Sequence, residues 1–160
     1  MRTSAINQEY MRFRFVWIGK TRDKNWRALQ EDYLARLSHF VRLDTAEIRE
    51  SAPNESNEHE GKRILNALNT GSYVVLLDAS GRQVTSHQLA KEVANWQNKG
   101  LKEVVFVIGG QDGVSSQVGE RADFSLSLSG LTFTHEQARV ILLEQLYRAF
   151  TIINGYPYQK

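Results

Sequence analysis

Two apolar runs constrain the fold more than anything else in this chain: SYVVLLD at 72–78 and EVVFVIGG at 103–110. Each has strand length, is rich in β-branched residues, and lacks the polar alternation that one wet face would impose. Strands of that kind are buried on both faces, so helices must cover the sheet above and below. This predicts an α/β fold with a mostly parallel sheet and helices on both faces. The remaining periodicities fit. RFRFVWI (12–18) reads as a first strand, and 25–40 as a helix with Trp26, Leu29, Tyr33, Leu37 and Phe40 at helical spacing. VRLDTAEI (41–48) reads as a second strand. The polar stretch RESAPNESNEHEG (49–61) reads as a mobile loop leading into a helix through Ile64, Leu65 and Leu68. Thr85 or Ser86 is the N-cap of a helix that puts Leu89, Val93 and Trp96 on one face and stops at Gly100. A short helix around SSQVGERA, a fifth strand FSLSLS and a long helix over 134–155 complete the pattern.

At 160 residues, with no internal repeat and no Pro/Gly-rich linker, one domain is expected. No apolar run approaches the roughly 18 residues of a membrane span, and MRTSAINQEYMRFRF lacks a signal-peptide apolar core, so a cytoplasmic location without membrane contact is expected. The absence of cysteine excludes disulfides and thiolate metal sites. Net charge is only +2, but it is unevenly spread. Residues 1–42 carry 9 Lys/Arg against 4 Asp/Glu, whereas 43–61 carry 1 against 6. Arg12, Arg14, Lys20, Arg22, Lys24 and Arg27 read either as a phosphate-facing patch or as a solvated face.

Several familiar motifs fail on inspection. IGKT (18–21) resembles the end of a P-loop, but Arg14 stands where the first glycine is required. HEQAR (135–139) starts like a zinc-binding helix and ends in Arg139, so no metal is expected. GVSSQ (113–117) lacks the second glycine of a nucleophile elbow. The glycines of IGGQDG follow the fourth strand and lack the dinucleotide-binding spacing. His39, His59 and His87 sit in polar or helix-edge contexts and read as exposed or structural, while His135 opens the last helix beside a small-residue loop.

What remains is three loops at the C-terminal ends of strands: LLDASG (76–81), IGGQDG (108–113) and LSGLTFTH (128–135). That edge of an open α/β sheet is where ligands bind. The loops are rich in small residues and poor in charge, so their backbone groups suit an uncharged heterocycle, a nucleoside without phosphates. The last helix carries Val140, Ile141, Leu142, Leu143, Leu146, Ala149, Phe150, Ile152 and Ile153, more than a single apolar stripe, which predicts a homodimer through it.

LLDASG, FVIGGQDG and LSLSGLTFTHEQARVILLEQLYRAFTIINGYPY together resemble the SPOUT methyltransferases, specifically their small RlmH-type branch, from about Met11 to the C-terminus. The resemblance implies a C-terminal trefoil knot and S-adenosyl-L-methionine as methyl donor. It also implies methylation of N3 of a pseudouridine in large-subunit ribosomal RNA by a homodimer whose sites draw on both subunits. The alternatives are another RNA, such as transfer RNA, or a silent RNA-binding module. Carried over by motif, the cofactor contacts are Leu77, Gly110, Ser129, Gly130, Leu131, Thr132, Phe133 and Thr134. His135, Arg139 and Tyr158 become catalytic candidates, and Arg139, Tyr158, Gln159 and Lys160 candidates for RNA contact. Residues 1–10 become an extension of a single domain over 11–160. The chain departs from the family pattern at Gln111 and Thr134, where proline is usual, and at Gln159, where histidine is usual. Glutamine hydrogen-bonds a base but cannot accept its proton, leaving His135, Tyr158 or solvent for that task.

Overall fold

The computed structural model describes residues 11–110 and 113–158. Five strands alternate with helices: β1 (Arg12–Ile18), α1 (Lys24–Leu37), β2 (Arg42–Ile48), α2 (Asn57–Asn66), β3 (Tyr73–Gln83), α3 (Ser86–Asn98), β4 (Glu103–Ile108), α4 (Ser116–Arg121), β5 (Phe124–Ser127) and α5 (His135–Asn154). The sheet order is β2-β1-β4-β3-β5, and every pairing is parallel. The two constraining runs are β3 and β4, at the centre, and all six residues of β4 are buried.

Alternation along the strands divides the core in two. Phe13, Phe15, Trp17, Val75, Phe106 and Leu126 face α1, α3 and α5, whereas Val16, Ile18, Val74, Leu76 and Val107 face α2 and α4. Connections toward the β2 edge run over the first face and those toward the β5 edge over the second, as four crossovers of one hand require. Complete burial of such side chains contributes about 1.5–3 kcal/mol each.

The last helix lies between α1 and α3. Both neighbours close on it, so Val140, Leu142, Leu143, Leu146, Ala149 and Phe150 are all buried within one chain. Its apolar surplus is therefore largely covered without a second copy; Ile141, Ile152 and Ile153 remain half-buried, the last two packed against the core.

Three local readings change. The stretch 49–61 is neither wholly loop nor without contacts. Helix α2 already begins at Asn57, where Ser56 and His59 form a capping box, and the segment before it is held by Glu55, which accepts from Arg63 at 2.7 Å and Arg49 at 3.1 Å. Strand β3 continues beyond residue 78 because Arg82 and Gln83 return to pair with β5. Helix α1 ends at Leu37, three residues early, freeing Phe40 to stack on Phe150 with centroids 5.4 Å apart.

Candidate active site

The C-terminal ends of β3, β4 and β5 are neighbours in the sheet, so the three small-residue loops converge. With the first turn of α5 they enclose a cavity of about 870 Å³. Each loop owes its shape to a local constraint. After Leu77, residues 78–81 leave the ladder, since Leu126 pairs with both Leu77 and Arg82. At the end of β4, the Gly113 N–H donates to the Gly110 carbonyl at 3.1 Å, and Gly113 adopts φ +78, a conformation suited to glycine. A Cβ on Gly109 would lie 2.6 Å from Val114 Cγ1, and one on Gly110 would lie 3.2 Å from Glu60 Oε1. Glu60 is itself fixed, its Oε2 accepting from the Ser51 hydroxyl at 3.0 Å.

The loop from Leu128 to Thr134 crosses from the β5 edge toward the end of β1. Ser127 Oγ donates to the Ser129 carbonyl at 3.0 Å, and Ser129 Oγ accepts from the Leu131 N–H at 3.0 Å. At its far end Thr134 caps α5 through a reciprocal pair with Gln137. Glu136 then accepts from the Arg22 N–H at 2.6 Å, tying the helix start to the β1–α1 connection.

Of the residues expected to contact a cofactor, Leu77, Gly110, Ser129, Leu131, Thr132, Phe133 and Thr134 line this cavity, and His135 lines it too. Gly130 does not; the nearest group to its Cβ position is Gln83 Nε2 at 3.5 Å. Asp78, Ala79 and Gln137, none of them among the expected contacts, also line it. Asp78 lies within the LLDASG motif, whose position at a strand end is the signal for it.

A family model described as predicted SPOUT methyltransferase matches residues 11–159. The chain belongs to the SPOUT methyltransferase family. It is 42% identical over 151 residues to the ribosomal RNA large subunit methyltransferase H of Geotalea daltonii, covering 92% of this chain and 99% of that protein. The protein of the same name from Gloeobacter violaceus is 42% identical over 152 residues, with 92% and 98% covered. That from Clostridium kluyveri is 38% identical over 159 residues, with 94% and 100% covered.

Within this SPOUT chain the remaining candidates stand apart from the cavity. Arg139 is fully buried. Its guanidinium donates to Thr21 Oγ1 at 2.9 Å and to the Ile18 carbonyl, and lies 5.0 Å from the Trp17 ring centroid. Burial pulls its pKa down to about 10 against the opposing pull of Glu136, Glu47 and Glu50. It is not paired with Glu144, which instead accepts from Arg148 at 2.6 Å. In this chain Arg139 ties the start of α5 to the end of β1 and shows no surface to RNA.

Tyr158 lies at the other end of α5. Its hydroxyl is 3.2 Å from Glu144 and 3.3 Å from the Tyr33 hydroxyl, and Arg148 sits 4.9 Å from its ring centroid. Burial, with Tyr33 and Glu144, pushes its pKa well above the ordinary phenol value, so this hydroxyl keeps its proton and donates a hydrogen bond to Glu144. Glu144 is nine residues from His135, about 13 Å along a helix axis, so one chain does not bring Tyr158 to its own cavity. Gln159, Lys160, Gln111 and residues 1–10 lie outside the described residues.

The basic patch also divides. Arg12 pairs with Glu103, and Arg14 pairs with Asp44 at 2.9 Å and donates to the Ala67 carbonyl. Arg27 spends its donors on the Thr21 carbonyl at 2.6 and 2.9 Å. Lys20 remains at the end of β1, beside a depression of about 570 Å³ that Arg22, Arg49 and Glu50 also line, with Arg22 paired to Glu50 at 3.3 Å. Among the described residues no helix is long and apolar enough to cross a membrane.

Proposed function

We propose that this chain transfers a methyl group from S-adenosyl-L-methionine to N3 of a pseudouridine in large-subunit ribosomal RNA, on the assembled ribosome in the cytoplasm. The observation that carries the reading is the cavity itself. It is built from glycine turns and a hydroxyl-rich loop, with apolar walls from Leu77, Ile108 and Leu126 and a carboxylate at Asp78. Such a lining suits adenine, ribose and a cationic sulfur, and offers no cradle for phosphates. The names of the relatives supply the ribosomal RNA.

When bound, S-adenosyl-L-methionine supplies an electrophilic methyl on a sulfonium. Leu77, Gly110 and the 129–134 loop would hold the nucleoside through backbone groups and shape, and His135 at the rim would face the incoming base. The imide nitrogen attacks only when its proton can leave, so the protein's tasks are alignment, exclusion of water and reception of that proton. His135 carries a nitrogen able to accept it.

The reading includes a homodimer, supported by the separation of Tyr158 from the cavity of its own chain. Antiparallel pairing of two α5 helices over Ile141, Arg148 and Ile152 would carry one tail toward the other copy's site. Light scattering at micromolar concentration should return twice the mass of the chain; a monomer would contradict this part. We read the crossing of residues 128–134 over the strand ends as the closing pass of the trefoil knot. The test of the whole reading is transfer of labelled methyl to assembled ribosomes with or without the pseudouridine. Transfer confined to pseudouridine-bearing particles is expected; transfer to transfer RNA instead, or to neither, would overturn it.

A further inference from the structure

We propose that Asp78 makes this site prefer the charged methyl donor over its neutral demethylated product. The inference rests on the cofactor reading above and concerns what that reading leaves open, how spent cofactor is released.

Among the described residues lining the cavity, Asp78 is the one carboxylate. The other acidic side chains near it are committed elsewhere. Glu136 is turned to the Arg22 and Asp23 backbone N–H groups, Glu60 is held by Ser51 behind Gly110, and Glu92 faces Arg82 at 3.8 Å. Asp78 has no cationic partner among the described residues. Its Oδ1 accepts from the Ser80 N–H at 3.0 Å and the Ser80 hydroxyl at 2.9 Å, exposed contacts that hold the carboxylate at the mouth of the cavity. A fixed, unneutralised negative charge is thus built into a cavity whose other walls are almost all uncharged.

The reaction changes the charge of what that cavity holds. The methyl carbon–sulfur bond breaks with its electron pair retained by sulfur. The ring nitrogen's pair forms the new carbon–nitrogen bond, and the imide proton passes to a base or to solvent. The cofactor enters with a sulfonium, an ammonium and a carboxylate, one net positive charge, and leaves as a neutral zwitterion. A carboxylate at the mouth of a cleft attracts the first more than the second, because Coulomb attraction near a protein surface exceeds that in bulk water. Asp78 therefore favours loading over product retention, and shape contacts common to both forms do not.

Isothermal titration calorimetry of the whole protein with S-adenosylmethionine, S-adenosylhomocysteine and sinefungin, whose amine replaces the sulfonium, tests this for wild type, Asp78→Asn and Asp78→Glu. Asparagine keeps the Oδ1 acceptor for Ser80, so the loop should persist, which equal melting temperatures without ligand would confirm. Asp78→Asn should weaken S-adenosylmethionine and sinefungin about 10-fold and S-adenosylhomocysteine less than 2-fold, with Asp78→Glu restoring most of the difference. Equal weakening of all three would mean that Asp78 serves the ribose or ammonium alone and would overturn the proposal, as would no change. Failure of the wild type to bind any of the three would instead sink the cofactor reading.

Discussion

Gly81 lies where β3 rejoins β5 after the 78–81 excursion, and its replacement by alanine tests the construction of the cavity wall. A Cβ there would sit 2.7 Å from both the carbonyl carbon and the oxygen of Ser125, and 3.0 Å from the Asp78 carbonyl oxygen. Comfortable carbon contacts begin near 3.5 Å, so β5 must retreat by about 0.8 Å. The obstacle is backbone, which no side-chain rotation relieves. Overpacking of this kind costs about 1–3 kcal/mol, and loosened ladder bonds to β5 add about 1 kcal/mol each. We expect Gly81→Ala to lose about 3 kcal/mol in urea unfolding, roughly 6–12 °C in melting temperature for a domain of this size. Cofactor affinity should fall with it, because Asp78 and Ala79 move with the strand. Gly119 provides the control: it is helical and nothing lies within 4 Å of its Cβ position, so Gly119→Ala should gain up to about 1 kcal/mol. Ser125→Gly should not rescue Gly81→Ala, since the clash is with the Ser125 main chain. A Gly81→Ala protein within 0.5 kcal/mol of wild type, or rescue by Ser125→Gly, would refute the reasoning.

Other perturbations separate structural from functional roles. Arg139→Ala leaves the Ile18 carbonyl and the Thr21 hydroxyl without their donor and opens a void beside Trp17, so stability should fall by about 3 kcal/mol in urea melts. Lost RNA affinity with unchanged stability would show instead that the guanidinium reaches RNA. Glu55 has its pKa lowered from 4.5 to about 2 by Arg63, then by the Ala52 N–H and Arg49. A depressed carboxylate stabilises fully above its unfolded pKa and loses that contribution as pH falls through the folded one. The stability difference between wild type and Glu55→Gln should therefore be constant above about pH 5 and shrink from pH 4.5 toward 2. A difference independent of pH across that window would contradict the pairing. Tyr158→Phe removes a hydroxyl held between Tyr33 and Glu144, and in the proposed dimer it should lower turnover while leaving cofactor affinity unchanged. Weakened cofactor binding in calorimetry would place Tyr158 differently.

How much was legible follows from the range of each interaction. The continuous runs at 72–78 and 103–110 identified the central strands because burial on both faces leaves its mark residue by residue. The small-residue loops were equally local, and seven of the eight positions that the family resemblance implies for the cofactor line the cavity. What escaped was set by residues distant in the chain. Nothing in HEQARV shows that the partners of Arg139, which the resemblance offers for RNA contact, are Thr21 and the Ile18 carbonyl, 118 and 121 positions away. Arg12 and Arg14 read as either a phosphate face or a solvated one because Glu103 and Asp44 meet them only after the sheet has ordered itself as β2-β1-β4. The last helix reads as two-sided, and most of its apolar surplus is taken up by α1 and α3, an outcome of sheet order rather than of the helix, while Ile141 stays half-buried. Strand order is also what turns three loops scattered over 60 residues into one cavity. Periodicity says that β3, β4 and β5 exist, and only their adjacency makes Leu77, Gly110 and Thr132 neighbours. The polar residues of such a chain therefore carry its ambiguity: a carboxylate or guanidinium is a site or a strut according to which distant group the topology sets against it. By that criterion Asp78, in the cavity wall with no cation opposite it among the described residues, is the position to test as a site, and Arg139, held against Thr21 and the Ile18 carbonyl, the position to test as a strut.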